Sequence, residues 1–269
     1  MSHLSSIGFQ VKSQKALKDL ARQAVEKGEA IAGGAGHYYR WRLEGGSELW
    51  VHVDEEGGVV GIEPHFNGPA RMAVTLRERV ARSPSAMDGG FEAAAEAAAG
   101  ALHPFLFDVP DYARHAGLGL PARVTVQLAA FAHSLEAFPD AVAFAAAQRG
   151  AEVAFTAETL IPVSVFAPQA RPAPEIPPEL ADFLGEMGAE PAALPLPEAV
   201  ALLSGVVVET ESRLNPAGSA LFRHARVRTA GGEVDVVADP RIVQGEVVTG
   251  GVIYGDCWLS GRLAEGDGR

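Results

Sequence analysis

Eight of the 18 prolines in this 269-residue chain fall between Pro168 and Pro197. Proline fixes φ and lacks the backbone donor, so this density rules out a long helix or a central strand there. One short helical candidate, "PPELADFLGEMG" at 177–188, interrupts a segment that otherwise reads as a stiff connector or a wrapping strap. Two regions flank it, 1–167 and 198–269, and the chain is long enough for each to bury a core.

Glycine and alternation set the reading of the first region. "SQKALKDLARQAVEKG" carries Leu17, Leu20, Ala21, Ala24 and Val25 at the spacing of one helical face, with Ser13 as N-cap and Gly28 as a left-handed C-cap. "IGFQV" before it reads as a strand. "HYYRWRLE", "SELWVHVDE" and "VVGIEPHF" follow as alternating strands, the first two joined by Gly45-Gly46, a pair that tolerates the positive φ of a tight turn. The order is βαβββ. Farther on, "FEAAAEAAAGAL" predicts a helix on propensity, "ARVTVQLAAFAH" a strand, and "PDAVAFAAAQRG" a helix opened by proline and aspartate.

Beyond the prolines, "ALLSGVVVETESRL", "LFRHARVRTAGG", "EVDVVADP" and "GGVIYGDCWLSGRL" are four β-runs separated by turns. They suggest a small antiparallel barrel, OB-like in form, with Gly205 marking a bulge. The fold class expected is α+β: a βαβββ-containing domain over 1–167, a proline-rich connector over 168–197 and a β-barrel domain over 198–269.

Composition narrows the function classes. The formal net charge of −12 argues against binding a phosphate backbone as the main activity. A single cysteine excludes an intrachain disulfide and fits a reducing compartment. No apolar run is long enough for a membrane span, and "MSHLSSIGFQ" has no export signal, so a cytoplasmic location without membrane association is expected. Cys257 alternates with Leu259 and Leu263 on one strand face and neighbours Asp256, which makes it a core residue rather than a nucleophile.

No "HExxH", "GxxxxGK[ST]" or "GxSxG" occurs, and "GGAG" at Gly33–Gly36 follows a helix instead of opening one. Three weaker constellations remain. His52, Glu63 and His65 sit on adjacent predicted strands, and imidazole with carboxylate is a donor set for zinc, iron or manganese. Phe222, His224, Arg226 and Arg228 alternate onto one strand face, the cationic and aromatic platform that single-stranded nucleic acid uses. The segment 198–269, however, holds ten acidic residues against seven arginines. Tyr39 and Trp41, if they face away from the helix, form an apolar patch for a partner.

The "IGFQV" segment, the helix and the three strands over residues 4–66 resemble one module of the vicinal oxygen chelate superfamily. The resemblance implies a curled half-barrel with a metal or small-ligand site. The ligand that typically precedes the first strand of such a module, often histidine, is Ser6 here.

Three functions follow as expectations. The favoured one is a non-enzymatic intracellular binding or assembly module that holds a protein partner or another copy of itself. The second is a metal- or small-ligand-dependent enzyme using His52, Glu63 and His65. The third is single-stranded nucleic-acid binding by the C-terminal barrel. No cofactor is specified by any motif.

Overall fold

The computed structural model describes residues 3–95, 104–151, 153–163 and 198–264. The fold is mixed helix and strand, dominated by sheet. The expected connector over 168–197 and its helical candidate lie outside the described residues.

The chain opens with a 3-10 turn, His3–Ile7, and then helix α1, Gln14–Lys27. "IGFQV" is therefore not a strand. Gly8 turns the chain at φ +80, and the Ile7 carbonyl is taken by side chains, Asn215 Nδ2 at 2.7 Å and Ser47 Oγ at 3.1 Å, in place of a ladder. Ser13 caps α1 by accepting from the Ala16 amide, as its sequence position suggests. Gly28 ends it without the left-handed turn, at φ −82; glycine is needed because a Cβ would stand 2.4 Å from the Ala24 carbonyl oxygen.

Four strands follow in an antiparallel meander: β1 (Glu29–Ala32), β2 (Gly36–Arg42), β3 (Ser47–Asp54) and β4 (Val59–Phe66). One face of this sheet holds Trp41, Leu49 and Val51 against Leu20, Ala21 and Ala24 of α1. The turn between β2 and β3 uses Gly45 and Gly46 at φ +83 and +89.

The remaining strands form a second sheet: β5 (Met72–Ala81), β6 (Gly89–Ala95), β7 (Phe105–Asp108), β8 (Ala122–Ala132), β9 (Leu135–Phe138), β10 (Thr159–Pro162), β11 (Val200–Asn215), β12 (Ala220–Thr229), β13 (Gly232–Ala238), β14 (Val243–Gln244) and β15 (Val252–Leu263). Helix α2, Ala141–Ala147, is capped by Asp140 as its sequence predicts. The expected helix at "FEAAAEAAAGAL" is strand β6 through Ala95, with later residues outside the description. Alanine's helix propensity is overridden because β5 and β7 pair both edges of β6, and Phe91 and Ala93 become fully buried.

Strands β8 and β15 form the spine of the second sheet. Residues 126–130 of β8 pair antiparallel with 259–263 of β15, and two rings close through that pair. One runs β11, β12, β13, β8, β15 and back to β11; the other runs β5, β6, β7, β15, β8 and back to β5. Four C-terminal strands would leave two open edges, and β8, from before the expected connector, fills the gap between β13 and β15. Strands from both sides of 168–197 thus share one ladder. β11 changes neighbours beside Gly205, where a Cβ would stand 2.9 Å from Val227 Cβ.

Alternation along these strands separates core from wall. Val126, Leu128, Ala130, Val227, Val234, Val236, Cys257 and Leu259 point into the apolar core of the rings. Gln127, His224, Asp235 and Ser260 lie at the intervening positions, and that outer wall packs against the face of the four-stranded sheet opposite α1.

Candidate functional site

The contact between sheet and wall is a chain of buried side chains. His65 on β4 bonds Ser260 Oγ through Nδ1 at 2.8 Å and Gln127 Oε1 through Nε2 at 2.7 Å. Gln127 Nε2 donates to Asp235 Oδ2 at 3.0 Å; Asp235 also receives the Ala70 amide at 3.0 Å and His224 Nε2 at 2.8 Å. The carboxylate only accepts, so the direction of each bond is determined. Gln127 must present its carbonyl to His65, His65 carries its proton on Nε2, and Nδ1 receives the Ser260 hydroxyl. Burial, and then the charge of Arg262, lowers the His65 pKa to about 3, which keeps the ring in this neutral form.

In front of this chain a cleft of about 410 Å³ opens between sheet and wall, lined by Arg40, Arg42, Asn67, Arg71, Gln127 and Arg262 together with Leu263 and Ala264. Arg40 and Arg42 are two apart on β2 and so share a face; Arg262 leaves β15 on the outer-wall side; Arg71 precedes β5. Glu29 on β1 accepts from Arg40 at 2.7 Å and Arg42 at 2.9 Å through the same oxygen, and those bonds hold its carboxyl below the usual range. Arg71 spends one nitrogen on the carbonyls of Gly68 and Ala70. Arg262 and Arg40 lie over the Trp50 ring at 5.2 and 5.3 Å, and the Nε of each is buried without a hydrogen-bond partner among the described residues. Behind them, Glu48 accepts from Trp50 Nε1; burial raises its pKa, and the charges of Arg262, Arg40 and Arg42 oppose that rise.

A second cleft, about 400 Å³, opens on the same outer wall between His3, His133, Asp108, Arg82, Glu198 and Trp258. His3 stacks on Trp258 with parallel planes 4.3 Å apart between centroids and bonds His133, Nε2 to Nε2, at 3.0 Å. His133 Nδ1 faces Asp256 Oδ2 at 3.3 Å, and the Ser134 hydroxyl holds the other oxygen of Asp256. Trp258 Nε1 donates to Asp108 at 2.6 Å, and Arg82 pairs with the same carboxylate.

The residues singled out from sequence fall differently. Register places His52, Glu63 and His65 on one sheet face, yet they serve separate contacts. His65 belongs to the buried chain. His52 meets the Tyr38 ring edge-on at 4.9 Å, beside the space left by Gly61, and burial lowers its pKa to about 4. Burial, with Asp108 and Asp88 nearby, pushes the Glu63 carboxyl well up. Among the described residues no group of three or more His, Cys, Asp or Glu side chains is arranged to hold a metal.

On β12, Phe222 is fully buried against Phe66, and His224 is bound to Asp235. Arg226 pairs with Glu233 and Glu209, and Arg228 with Glu158. The alternation is real, but its aromatic member is not offered to solvent and its cations are matched. Tyr39 and Trp41 lie on the α1 side of the sheet, with Lys27 Nζ 4.9 Å from the Trp41 ring, and not on the face opposite the helix.

Sequence reasoning missed Arg40, Arg42, Arg71 and Arg262, as well as His3 and His133. Only the spacing of Arg40 and Arg42 carried a local signal. No protein-family model matches the chain, nor does any curated protein or solved structure.

Proposed function

We propose that this chain is a non-enzymatic binding module that receives a small phosphate- or carboxylate-type dianion in the arginine cleft. The observation that carries the reading is the gathering of four guanidiniums around one cleft of a chain whose net charge is −12. Glu29 balances Arg40 and Arg42, and Glu48 is the other acid close behind, which leaves an excess of about two positive charges. Guanidinium presents paired donors in the fork geometry that carboxylate and phosphate accept, and the cleft has the size of a small-molecule site. The buried His65–Gln127–Asp235 chain supports a rigid back wall, so little ordering is needed on binding.

Titration calorimetry with inorganic phosphate and, separately, succinate tests the reading. Saturable binding is expected for one of them, weakened roughly tenfold by Arg262→Gln or Arg71→Gln, about 1.4 kcal/mol. Absence of binding at ~10 mM of either anion, or affinity unchanged in both variants, overturns it.

A second reading, a protein partner or another copy of the chain, draws on Leu214 and Leu221. They stand opposite each other in the β11–β12 ladder and are 55% and 57% exposed. Sedimentation of the protein with Leu221→Asp tests it, since self-association through that patch is lost in the variant. Closure of β11, β12, β13 and β15 through β8 supports an OB-like barrel with one strand from the first half, and the single buried thiol is in keeping with a cytoplasmic setting. Among the described residues no helix is long and apolar enough to cross a membrane.

A further inference from the structure

Beneath the arginine cleft lies a carboxylate whose charge is balanced only from a distance. We infer that the cleft takes up its anion together with one proton, carried by Glu48, so that affinity for the anion rises as the pH falls. The inference rests on the anion-binding reading above and adds to it a means of loading and release.

Glu48 stands opposite Arg42 of β2 and His65 of β4 in the four-stranded sheet and is 1% exposed. Its Oε2 accepts from Trp50 Nε1 at 3.0 Å, and its Oε1 is buried without a hydrogen-bond partner among the described residues. A buried carboxylate stays ionised through the donors it accepts from and the cations near it. With a single donor, Glu48 depends on the cations. Burial raises its pKa, and the charges that oppose the rise are those of Arg262, Arg40 and Arg42. All three guanidiniums line the cleft.

An anion seated on those guanidiniums acts on Glu48 twice, with the same sign. It cancels the positive field that holds the carboxylate ionised, and it sets a like charge close by. Glu48 then takes a proton from water on Oε1, while Oε2 keeps the Trp50 donor. The groups around it do not compete for that proton. His65 is bonded at both ring nitrogens and held neutral by burial. Glu29 is exposed, and its bonds to Arg40 and Arg42 favour the ionised form. Glu63 answers to Asp108, Asp88 and Arg82, none of which lines this cleft. Because the anion-bound state holds more protons than the free state, linkage makes binding tighter at lower pH, by up to about tenfold per pH unit for one coupled proton.

Sulfate and succinate serve as probes, since neither changes its own protonation around neutral pH as phosphate does. Each is titrated by calorimetry into the full chain near pH 6.5 and 7.5 at constant ionic strength, in buffers of low and high ionisation enthalpy. Uptake of about 0.3–1 proton per anion is expected, with affinity about two- to tenfold higher at the lower pH. Glu48→Gln keeps an acceptor for Trp50 Nε1 and removes the titrating group. It is expected to bind more tightly than the parent near pH 7.5, with no proton uptake and no pH dependence. Melting curves check that the variant folds. Infrared difference spectra of the unaltered chain report the same event without a substitution, as a carboxylic-acid C=O band that appears when sulfate is added. Binding with neither proton uptake nor that band overturns the inference and leaves the anion reading standing. Proton uptake that persists in Glu48→Gln also overturns it. Absence of binding by either anion overturns both.

Discussion

Gln127 Nε2 donates to Asp235 Oδ2 at 3.0 Å, across strands that lie 108 residues apart in the chain. That bond orients the Gln127 amide, and through it the tautomer of His65 and the hydroxyl of Ser260. Asp235 is the terminus on which the chain depends, since three donors converge on its two oxygens.

Asp235→Asn puts an amide NH₂ where those donors point, leaving at least one buried group unpaired. A loss of about 3 kcal/mol is expected in urea unfolding at pH 7. Gly68→Ala should act at the same place, because a Cβ there would stand 2.2 Å from the Asp235 carboxylate, which three bonds hold still. About 1–3 kcal/mol is expected. Gly117→Ala, with nothing within 4 Å, should stay within about 0.5 kcal/mol of the parent.

Acid is expected to unfold the protein through its buried imidazoles. His65 has a pKa lowered from 6.5 to about 3 by burial and then by Arg262, and His52 one lowered to about 4 by burial. In the window between those values and 6.5 the unfolded chain binds more protons. The stability these rings contribute is full above pH 6.5 and is lost as the pH falls toward 4 and 3. Glu63 acts in the opposite sense: its carboxyl is raised by burial first and then by Asp108, so its contribution is present at low pH and lost as the pH rises through the folded value. Urea midpoints at pH 7.5, 6 and 5 should fall steadily, and His65→Gln should flatten that slope. An equal slope in the variant would show that His65 does not drive it.

Glu29→Gln removes the carboxylate that Arg40 and Arg42 share. If the cleft holds an anion, that carboxylate competes with it, and binding of inorganic phosphate should tighten about three- to tenfold in calorimetry at low salt. The gain should shrink at high ionic strength. Weaker binding would mean that Glu29 orients the arginines rather than competing for them.

Cys257 is fully buried, and burial, followed by Asp256, pushes its thiol up. Iodoacetamide should leave it unmodified in the folded protein, and labelling in urea should follow the unfolding curve. Rapid labelling in buffer would contradict its place in the core.

Parts of this structure were legible from neighbouring residues alone. Ser13 and the spacing of Leu20, Ala21 and Ala24 announce α1; Gly45-Gly46 marks the β2–β3 turn; alternation over 122–132 and along the C-terminal runs marks the strands and puts Cys257 among leucines. Each rests on forces acting within a few residues, where capping, left-handed glycine and a two-residue period suffice. The same local logic misreads 91–95, whose alanines favour a helix until β5 and β7 pair with them, and 7–11, whose alternation finds no partner strand.

The site lay further from view. Period two assigns Gln127, Asp235, His224 and Ser260 to one side of their strands, but it does not say that those sides form a single wall or that His65 faces it. Nor does it bring Arg40 and Arg42 to Arg71 and Arg262, or His3 to His133. By itself the sequence determined the strands, their faces and the acidic balance, because those follow from local sterics and composition. Only the tertiary structure decided which faces meet, because β8 pairs with β13 and β15 far along the chain, as in Asp235 opposite Ala129 and Leu263 opposite Val126, and the energy of that pairing depends on the whole closed sheet rather than on either segment.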